Sequence, residues 1–382
     1  MIVSLVLGWA FIYVSRTCLY PLFPVIAEEL GVTSAQAGLL SSVYFTSYTI
    51  LQIPAGLLMD RLGTKKCLAS GCAASGIALL CAGLWGSSYG TLLFFLGVQG
   101  AGDSFFYTAA QATVVTHSPP KRKNLYSALL GMGMSAGVLA GLGLSHSLYA
   151  AFADYRAPFL LSAFPMFAAA GMTVFFVPDV PPSRTARVRD YVPLFRDADL
   201  WRISGAMFCL LYGFWACLNW GPTFLRVERG FVAEQAGFYS GLIALASIPG
   251  GLLWSRLTGR LGRRAVLMTA LPLCALFLCC VANARSFPAI TASLMAFGFC
   301  SNTAVVPVAV LWISQIAGPR YPGRVTVAIA FFNCVLIASA VAAPALSGLI
   351  RDVSGSLAGA IFLAAGVVLS GLLFLYGARE AA

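Results

Sequence analysis

Long apolar runs recur along this chain and restrict what it can fold into. Each run has roughly 20 residues, enough to cross a hydrocarbon core of about 30 Å as an α-helix. Twelve such runs lie near 2–27, 36–59, 67–86, 91–117, 124–149, 157–177, 203–226, 235–255, 265–283, 287–315, 325–350 and 357–377. Only 10% of the residues are charged, whereas a soluble domain carries about 25%. The sequence therefore predicts an all-α membrane protein with twelve transmembrane helices.

The basic residues follow the alternation of these runs. Of 24 Lys and Arg residues, 18 fall in alternate loops and the C-terminal tail, 5 fall in the other loops, and one lies within the first run. Cytoplasmic loops of membrane proteins are enriched in Lys and Arg. The split predicts that both termini are cytoplasmic and that the protein is a multi-pass protein of the cell (inner) membrane. It also accounts for the net charge of +11, so a nucleic acid partner is not expected.

The two halves of the chain resemble each other. The stretch "IPAGLLMDRL" at 53–62 matches "IPGGLLWSRL" at 248–257, and a long polar stretch rich in Pro and Arg separates the sixth and seventh runs. A ten-residue match at equivalent positions indicates an internal repeat. The predicted organisation is an N-terminal six-helix half at 1–177, a cytoplasmic linker at 178–202 and a C-terminal six-helix half at 203–382. Parallel repeats of this kind place a substrate site between the halves.

Two charged residues, Arg16 and Asp103, lie deep within the predicted spans. With a rise of about 1.5 Å per residue, Arg16 lies roughly 16 Å from the outer end of span 1 and Asp103 roughly 18 Å from the outer end of span 4. A charge at the centre of a membrane helix is costly and is usually paired or faces a wet cavity. The two side chains could therefore form a structural salt bridge, or they could belong to a substrate site.

Polar and aromatic residues accompany these charges at helical spacing, which favours the substrate site. Residues three or four positions apart share one helix face. Four such faces occur, and they are formed by Tyr13, Arg16 and Tyr20; by Tyr44, Tyr48 and Gln52; by Gln99, Asp103, Tyr107 and Gln111; and by Tyr212, Trp215 and Asn219. Together they are typical of a central cavity that binds a small polar solute.

The stretch "GLLMDRLGTKK", from Gly56 to Lys66, resembles the signature of the loop between spans 2 and 3 in the major facilitator superfamily. The resemblance implies the major facilitator fold and a conformational gate formed by Gly56, Asp60, Arg61 and Gly63. In that family the acidic residue interacts with the start of span 11. The second copy of the motif is degenerate, since Ser255 stands where Asp60 stands in the first.

Within the superfamily, the first span and its arginine are most similar to the organic anion transporters, often called the anion:cation symporter family. Their arginine meets the anionic group of the substrate, which implies this role for Arg16, and the resemblance gives Asp103 the role of proton uptake. The stretch 331–356 resembles span 11 of that family and adds Asn333 to the predicted binding residues. Two features depart from the pattern: Ser15 replaces an acidic residue found in some proton-coupled members, and no second basic residue lies within the spans.

The predicted function is secondary active transport of a small, monocarboxylate-like organic anion, coupled to protons in a symport by alternating access. No cofactor or metal is expected, the protein is expected to be a monomer, and no motif of an enzyme occurs. One alternative is a drug:proton antiporter, although such proteins carry an arginine where Leu96 stands here. The other is a ligand-sensing receptor on a transporter scaffold.

Overall fold

The computed structural model describes residues 1–119, 122–179, 193–321 and 325–378, and every regular element within these ranges is helical. Fifteen α-helices occur there: α1 (Ile2–Thr17), α2 (Phe23–Leu30), α3 (Ser34–Leu62), α4 (Thr64–Trp85), α5 (Tyr89–Asp103), α6 (Phe106–His117), α7 (Lys123–Phe152), α8 (Ala157–Phe176), α9 (Ala198–Arg229), α10 (Ala233–Leu261), α11 (Arg263–Asn283), α12 (Phe287–Cys300), α13 (Asn302–Arg320), α14 (Val325–Ser354) and α15 (Ala358–Tyr376).

Three of the predicted runs are each divided between two helices. In the first run, a short 3-10 turn at Tyr20–Leu22, with a proline at Pro21, separates α1 from α2. The fourth run breaks at Ser104, between α5 and α6. The tenth run breaks at Ser301, whose backbone is extended, with φ −103° and ψ −176°. Breaks of this kind free backbone groups, which membrane proteins accept where the break lies against other protein.

Ten stretches in the described ranges are helices long and apolar enough to cross a membrane. The predicted runs at 36–59 and 91–117 are not among them. The second of these is divided into α5 and α6, which have only 15 and 12 residues, and α3 carries many hydroxyl and amide side chains. The all-α membrane fold is confirmed, and the count of twelve spans stays a prediction.

Features of the internal repeat recur at equivalent places in the structure. Pro54 lies inside α3 and Pro249 lies inside α10. Gly63 and Gly262 join these helices to the next ones with φ angles of 90° and 84°, a conformation that glycine adopts without steric cost. The predicted linker lies largely outside the described residues, and α9 begins at Ala198, before the predicted start of the second half at 203. The boundaries of the halves stay a prediction.

Helices of the two halves meet along two lines, α3 against α14 and α7 against α10. At one end of the bundle, the N-terminus of α3 lies against the C-terminal part of α14. The Asp352 carboxylate accepts hydrogen bonds there from the backbone N–H groups of Ser34 at 2.9 Å and Ala35 at 2.7 Å. The acid therefore caps the first turn of α3 from the other half, where negative charge is favourable.

A row of glycines brings α7 close to α1. A Cβ atom added at Gly133 would lie 2.6 Å from the carbonyl oxygen of Val6, and one added at Gly141 would lie 2.7 Å from that of Val14. Between them, Gly137 faces the carbonyl oxygen of Ala10 at still closer range. Small residues at such spacing allow the close approach of membrane helices. This packing fixes the position of α1, which carries Arg16.

This packing predicts a difference between two alanine substitutions in α7. A methyl group at Gly137 would overlap the carbonyl oxygen of Ala10, whereas a methyl group at Gly131 would meet nothing within 4 Å. Gly137→Ala should destabilise the protein by about 1–3 kcal/mol, the usual cost of overpacking. Gly131→Ala should be neutral or slightly stabilising, since alanine favours a helix by about 0.5–1 kcal/mol. Thermal unfolding of both variants in one detergent checks this, and equal melting temperatures would contradict it.

Candidate functional site

Arg16 lies buried at the end of α1, with only 5% of its surface exposed. The chain leaves the α-helical path two residues later, and α1 packs against α7 and α8. Burial of a guanidinium is costly unless other groups stabilise the charge. The groups around Arg16 are therefore expected to stabilise its charge and to indicate its function.

A hydrogen-bond chain connects Arg16 to Asp103 through Tyr44. The Nε of Arg16 donates to the hydroxyl of Tyr44 at 2.8 Å, and that hydroxyl donates to Oδ2 of Asp103 at 2.6 Å. Asp103 is only 1% exposed. Among the described residues, no ion pair within 4.0 Å joins the two charges directly. The equal depth expected from the sequence brings the two groups near each other, but the direct salt bridge is replaced by a tyrosine bridge.

Five aromatic rings surround the guanidinium of Arg16. Its Cζ lies within 6 Å of their centroids, at 4.5 Å from Tyr13, 4.8 Å from Tyr44, 5.2 Å from both Tyr48 and Phe45, and 5.9 Å from Trp9. A cation over an aromatic face gains about 0.5–2 kcal/mol, more when it is desolvated. The rings thus stabilise a buried positive charge without neutralising it.

Trp9 and Phe45 were missed by the sequence argument, which selected only polar aromatic residues. Trp9 lies two helical turns before Arg16, so it shares the same face of α1. Phe45 follows Tyr44 directly in α3. A search for any aromatic residue at helical spacing from the charge would have found Trp9.

The face predicted on span 4 is interrupted by the break between α5 and α6. On α5, Gln99 donates to the hydroxyl of Ser15 at 3.2 Å, next to Arg16 in the chain. On α6, Gln111 donates to the hydroxyl of Tyr107 at 3.4 Å, and the Tyr107 ring lies 5.1 Å from that of Trp9. Asp103 is the last residue of α5. The break therefore separates the acid from Tyr107, which contacts the cluster through the ring of Trp9.

Several buried polar atoms of this cluster and of α9 make no hydrogen bond within the described residues. One is Nη2 of Arg16, and the others include the hydroxyl of Tyr212 and Nε1 of Trp215. Buried polar groups in proteins are nearly always hydrogen-bonded to protein or water. These atoms are consequently the ones that a bound polar ligand or water would satisfy.

The C-terminal half approaches the cluster through α9. This helix is the most buried of the candidate spans, with 89% of its most apolar stretch inside the protein. The Trp215 ring lies 4.6 Å from that of Phe45, and Asn219 donates to the backbone carbonyl of Trp215 at 2.8 Å. Tyr212 is buried on the same helix, and Asn333 is half-buried on α14. In the described part of the chain, neither Tyr212 nor Asn333 forms a hydrogen bond or ring contact with Arg16, so the cluster around the charge belongs mainly to the N-terminal half.

The predicted gate residues lie at the end of α3. Gly56 faces open space, Arg61 is exposed, and Gly63 turns the chain into α4. The side chain of Asp60 lies outside the described residues. The carboxylate that does contact this turn belongs to Asp179, whose Oδ1 accepts from the backbone N–H of Lys65 at 3.0 Å.

Asp179 was also missed by the sequence argument. It lies beyond the sixth run, in the part that was read only as a linker. An acid caps a helix N-terminus favourably, but its pairing with a turn more than 100 residues away in the chain depends on the fold. The gate role of Gly56, Asp60, Arg61 and Gly63 stays a prediction.

Comparison with known proteins gives both transporters of organic anions and exporters of drugs as relatives. A probable sulfoacetate transporter of Cupriavidus necator is 26% identical over 66% of this chain and 63% of its own length. A multidrug efflux protein of Bacillus subtilis is 27% identical over 60% of this chain and 57% of its own length. A candidate tartrate transporter of Agrobacterium vitis is 24% identical over 92% of this chain and 84% of its own length. The matches thus span less than two thirds of the length of the first two relatives.

The fold is also that of a solved transporter. The crystal structure of a bacterial homologue of the human lysosomal transporter Spinster, in an inward-facing and occupied conformation, superposes with a TM-score of 0.76 over 99% of this chain and 94% of its own, at 15% identity. The model of the Major Facilitator Superfamily matches residues 5–335 and 233–382. The sequence motif, the helical membrane fold and these matches agree: the chain belongs to the Major Facilitator Superfamily.

Proposed function

We propose that this protein is a secondary active transporter of a small organic monoanion, and that Arg16 binds the anionic group. The family carries small molecules across membranes, which favours a transporter over an enzyme. The observation that carries the proposal is the state of Arg16: it is buried, surrounded by rings that leave its charge in place, and has a free Nη2. A guanidinium binds a carboxylate through two parallel N–H groups, and one of these groups is still available.

The charges of the cluster favour a monoanion. One arginine faces one carboxylic acid, and no second basic residue of the predicted spans accompanies them. The neutral polar groups of Tyr13, Tyr48, Tyr107, Tyr212, Trp215, Asn219 and Asn333 suit the hydroxyl groups of a monocarboxylate. A dianion would bring one uncompensated charge into a buried site, and burial of an unpaired charge is strongly unfavourable.

Tyr44 provides a route for coupling the anion to a proton. When a substrate carboxylate takes the guanidinium of Arg16, the charge that stabilises Asp103 through Tyr44 is withdrawn. Asp103 then gains from accepting a proton, and a neutral Asp103 in turn leaves Arg16 free for the anion. The two ligands favour each other's binding, and this coupling is reciprocal by thermodynamic linkage. It is the behaviour that a symporter requires.

The relatives support an organic anion but leave a second function open. Sulfoacetate and tartrate, named for two relatives, are organic anions, while other relatives are named for multidrug efflux and quinolone resistance. A drug:proton antiporter is therefore the alternative that the comparisons favour. Arg16 would repel a cationic drug. A drug that binds at the aromatic rings around Arg16 would therefore have to be neutral. A receptor on the same scaffold would bind the anion without moving it.

We also propose a cellular location and an oligomeric state for the protein. The distribution of Lys and Arg residues favours an inner-membrane protein with both termini in the cytoplasm. A monomer is proposed because one chain supplies the whole cluster of Arg16, Tyr44 and Asp103. Import by proton symport requires an outside more acidic than the cytoplasm.

A thermal-shift screen of carboxylates tests the proposed substrate class. Ligands that bind the folded state raise its melting temperature, and we expect a monocarboxylate to give the largest rise. Arg16→Gln should abolish that rise, and Arg16→Lys should lose most of it, since lysine lacks the planar fork of the guanidinium. Counterflow of the labelled best ligand in proteoliposomes then separates a carrier from a receptor. A best ligand among phosphate esters or cationic drugs, or an unchanged response of Arg16→Gln, would refute the proposal.

The role of the tyrosine bridge predicts unequal effects of two hydroxyl deletions. Tyr44→Phe keeps the ring near Arg16 but removes the group that connects Arg16 to Asp103. It should cost about 1–3 kcal/mol of stability, because two buried polar partners lose their hydrogen bonds. Tyr48→Phe is the matched control: the Tyr48 ring lies at a similar distance from Arg16, and its hydroxyl makes no side-chain hydrogen bond within the described residues. Equal thermal unfolding of the two variants would show that the bridge contributes nothing.

The coupling model predicts separate effects of Asp103→Asn on two transport modes. Asparagine resembles the protonated acid, so exchange of labelled substrate across a liposome membrane should survive. Uptake driven by a pH gradient should disappear, because no proton can be bound or released at this position. Undiminished pH-driven uptake in the variant would place the coupling proton elsewhere.

A further inference from the structure

A cavity lies away from Arg16, on the surface of the C-terminal half. It has a volume of about 920 Å³ and lies between α9, α14 and α15. This size is at the upper end of the range for small-molecule sites, about 300–1,000 Å³. The wall on α14 is one helix face, formed by Phe331, Cys334, Val335 and Ala338. The proposed transport mechanism makes no use of this groove.

The groove follows α9 from the start of that helix. Its wall on α9 begins at Ala198, the first residue of that helix, and reaches Phe208. At about 1.5 Å per residue, these ten steps span about 15 Å, and because α9 has 32 residues and is longer than a hydrocarbon core of about 30 Å, the first part of this wall lies at headgroup depth. Phe374, near the C-terminal end of α15, lines the same groove. The groove therefore runs from the end of the bundle where α9 begins toward the middle of the membrane.

Positive charge lies at the end of the groove next to the start of α9. Arg196 lines this end, is exposed, and forms no ion pair within the described residues. Arg202 also lines it and contacts Asp199 at 3.3 Å. The nearby carboxylates of Asp197 and Asp199 are both engaged by Arg320, at 3.0 and 2.8 Å. The two acids are thus occupied by other cations, and Arg196 remains available for an external anion.

An ordered aromatic cluster forms the mouth of the groove. The Trp201 ring lies 5.0 Å from that of Phe331, and Phe195 lies 5.2 Å from Phe331. The indole N–H of Trp201 donates to the carbonyl oxygen of Phe195 at 2.9 Å, which fixes the short turn that carries Arg196. Trp201 remains 42% exposed. Tryptophan is typical of the interface between lipid and water, so this mouth lies where headgroups lie.

We propose that the groove binds one anionic phospholipid of the leaflet on this side, with its headgroup on Arg196 and one acyl chain along α14 to Ala338. A cationic end, an aromatic mouth and an apolar wall match the three parts of such a lipid in order. Basic pockets between membrane helices are known to bind anionic headgroups. A free small anion would use Arg196 but would leave the apolar wall uncovered.

Native mass spectrometry of the purified full-length protein tests this binding. The protein is mixed with phosphatidylglycerol or with phosphatidylcholine of the same acyl chains, and retained lipid is counted. Wild type should retain one phosphatidylglycerol in preference to phosphatidylcholine. Arg196→Gln should lower this retention about fivefold, the effect of about 1 kcal/mol for one arginine near a headgroup. Ala338→Phe, which fills the apolar end, should lower retention of the same lipid.

Arg260→Gln is the matched control, since Arg260 is an exposed arginine near the end of α10 and does not line the groove. It should retain phosphatidylglycerol like wild type. If Arg196→Gln and Arg260→Gln lost the same amount of phosphatidylglycerol, the effect would be one of general surface charge, and the proposed site would be wrong. Full retention in a folded Ala338→Phe variant, or equal retention of phosphatidylcholine, would overturn it as well. Since lipid is counted directly, the result does not depend on the transported substrate.

Discussion

The burial of one guanidinium among membrane helices is the constraint on which the central architecture depends. Arg16 is buried, with an exposed fraction of 5%, and in the described part of the chain no carboxylate pairs with it directly. Aromatic faces and a tyrosine hydroxyl stabilise it instead. This arrangement keeps the charge available, because ring faces do not occupy the N–H groups as a carboxylate would. A buried salt bridge would have satisfied the charge and left little for a ligand.

The position of the two charges could be predicted from the sequence, but their connection could not. Counting residues along straight helices placed Arg16 and Asp103 at similar depth, and the structure brings both to Tyr44. Which tyrosine lies between them depends on how α3 is rotated against α1 and α5. Rotation follows from packing over the whole length of a helix, so the spacing within one helix does not determine it.

The helix breaks were also beyond reach of the sequence argument. The runs that contain Ser104 and Ser301 are apolar on both sides of these residues, so their mean hydropathy does not divide them into two helices. The break in the fourth run nevertheless decides the site, because it places Asp103 at a helix end and turns Tyr107 toward Trp9. The glycine row on α7 is different: Gly133, Gly137 and Gly141 recur every four residues in the sequence, and their partners are backbone carbonyl oxygens of α1. In a membrane, a row of small side chains indicates close helix packing, whereas a polar side chain can have one of several roles.

The contact between Asp352 and the start of α3 bears on how the two halves can separate. Each of the two N–H groups it receives belongs to the first turn of a helix, where no intrahelical acceptor exists. If α14 moves away from α3 at this end, these groups and the carboxylate must all be hydrated within the same movement. Opening of this end is therefore an exchange of one set of hydrogen bonds for water, and because Asp352 is exposed, water is already present at the base of α3.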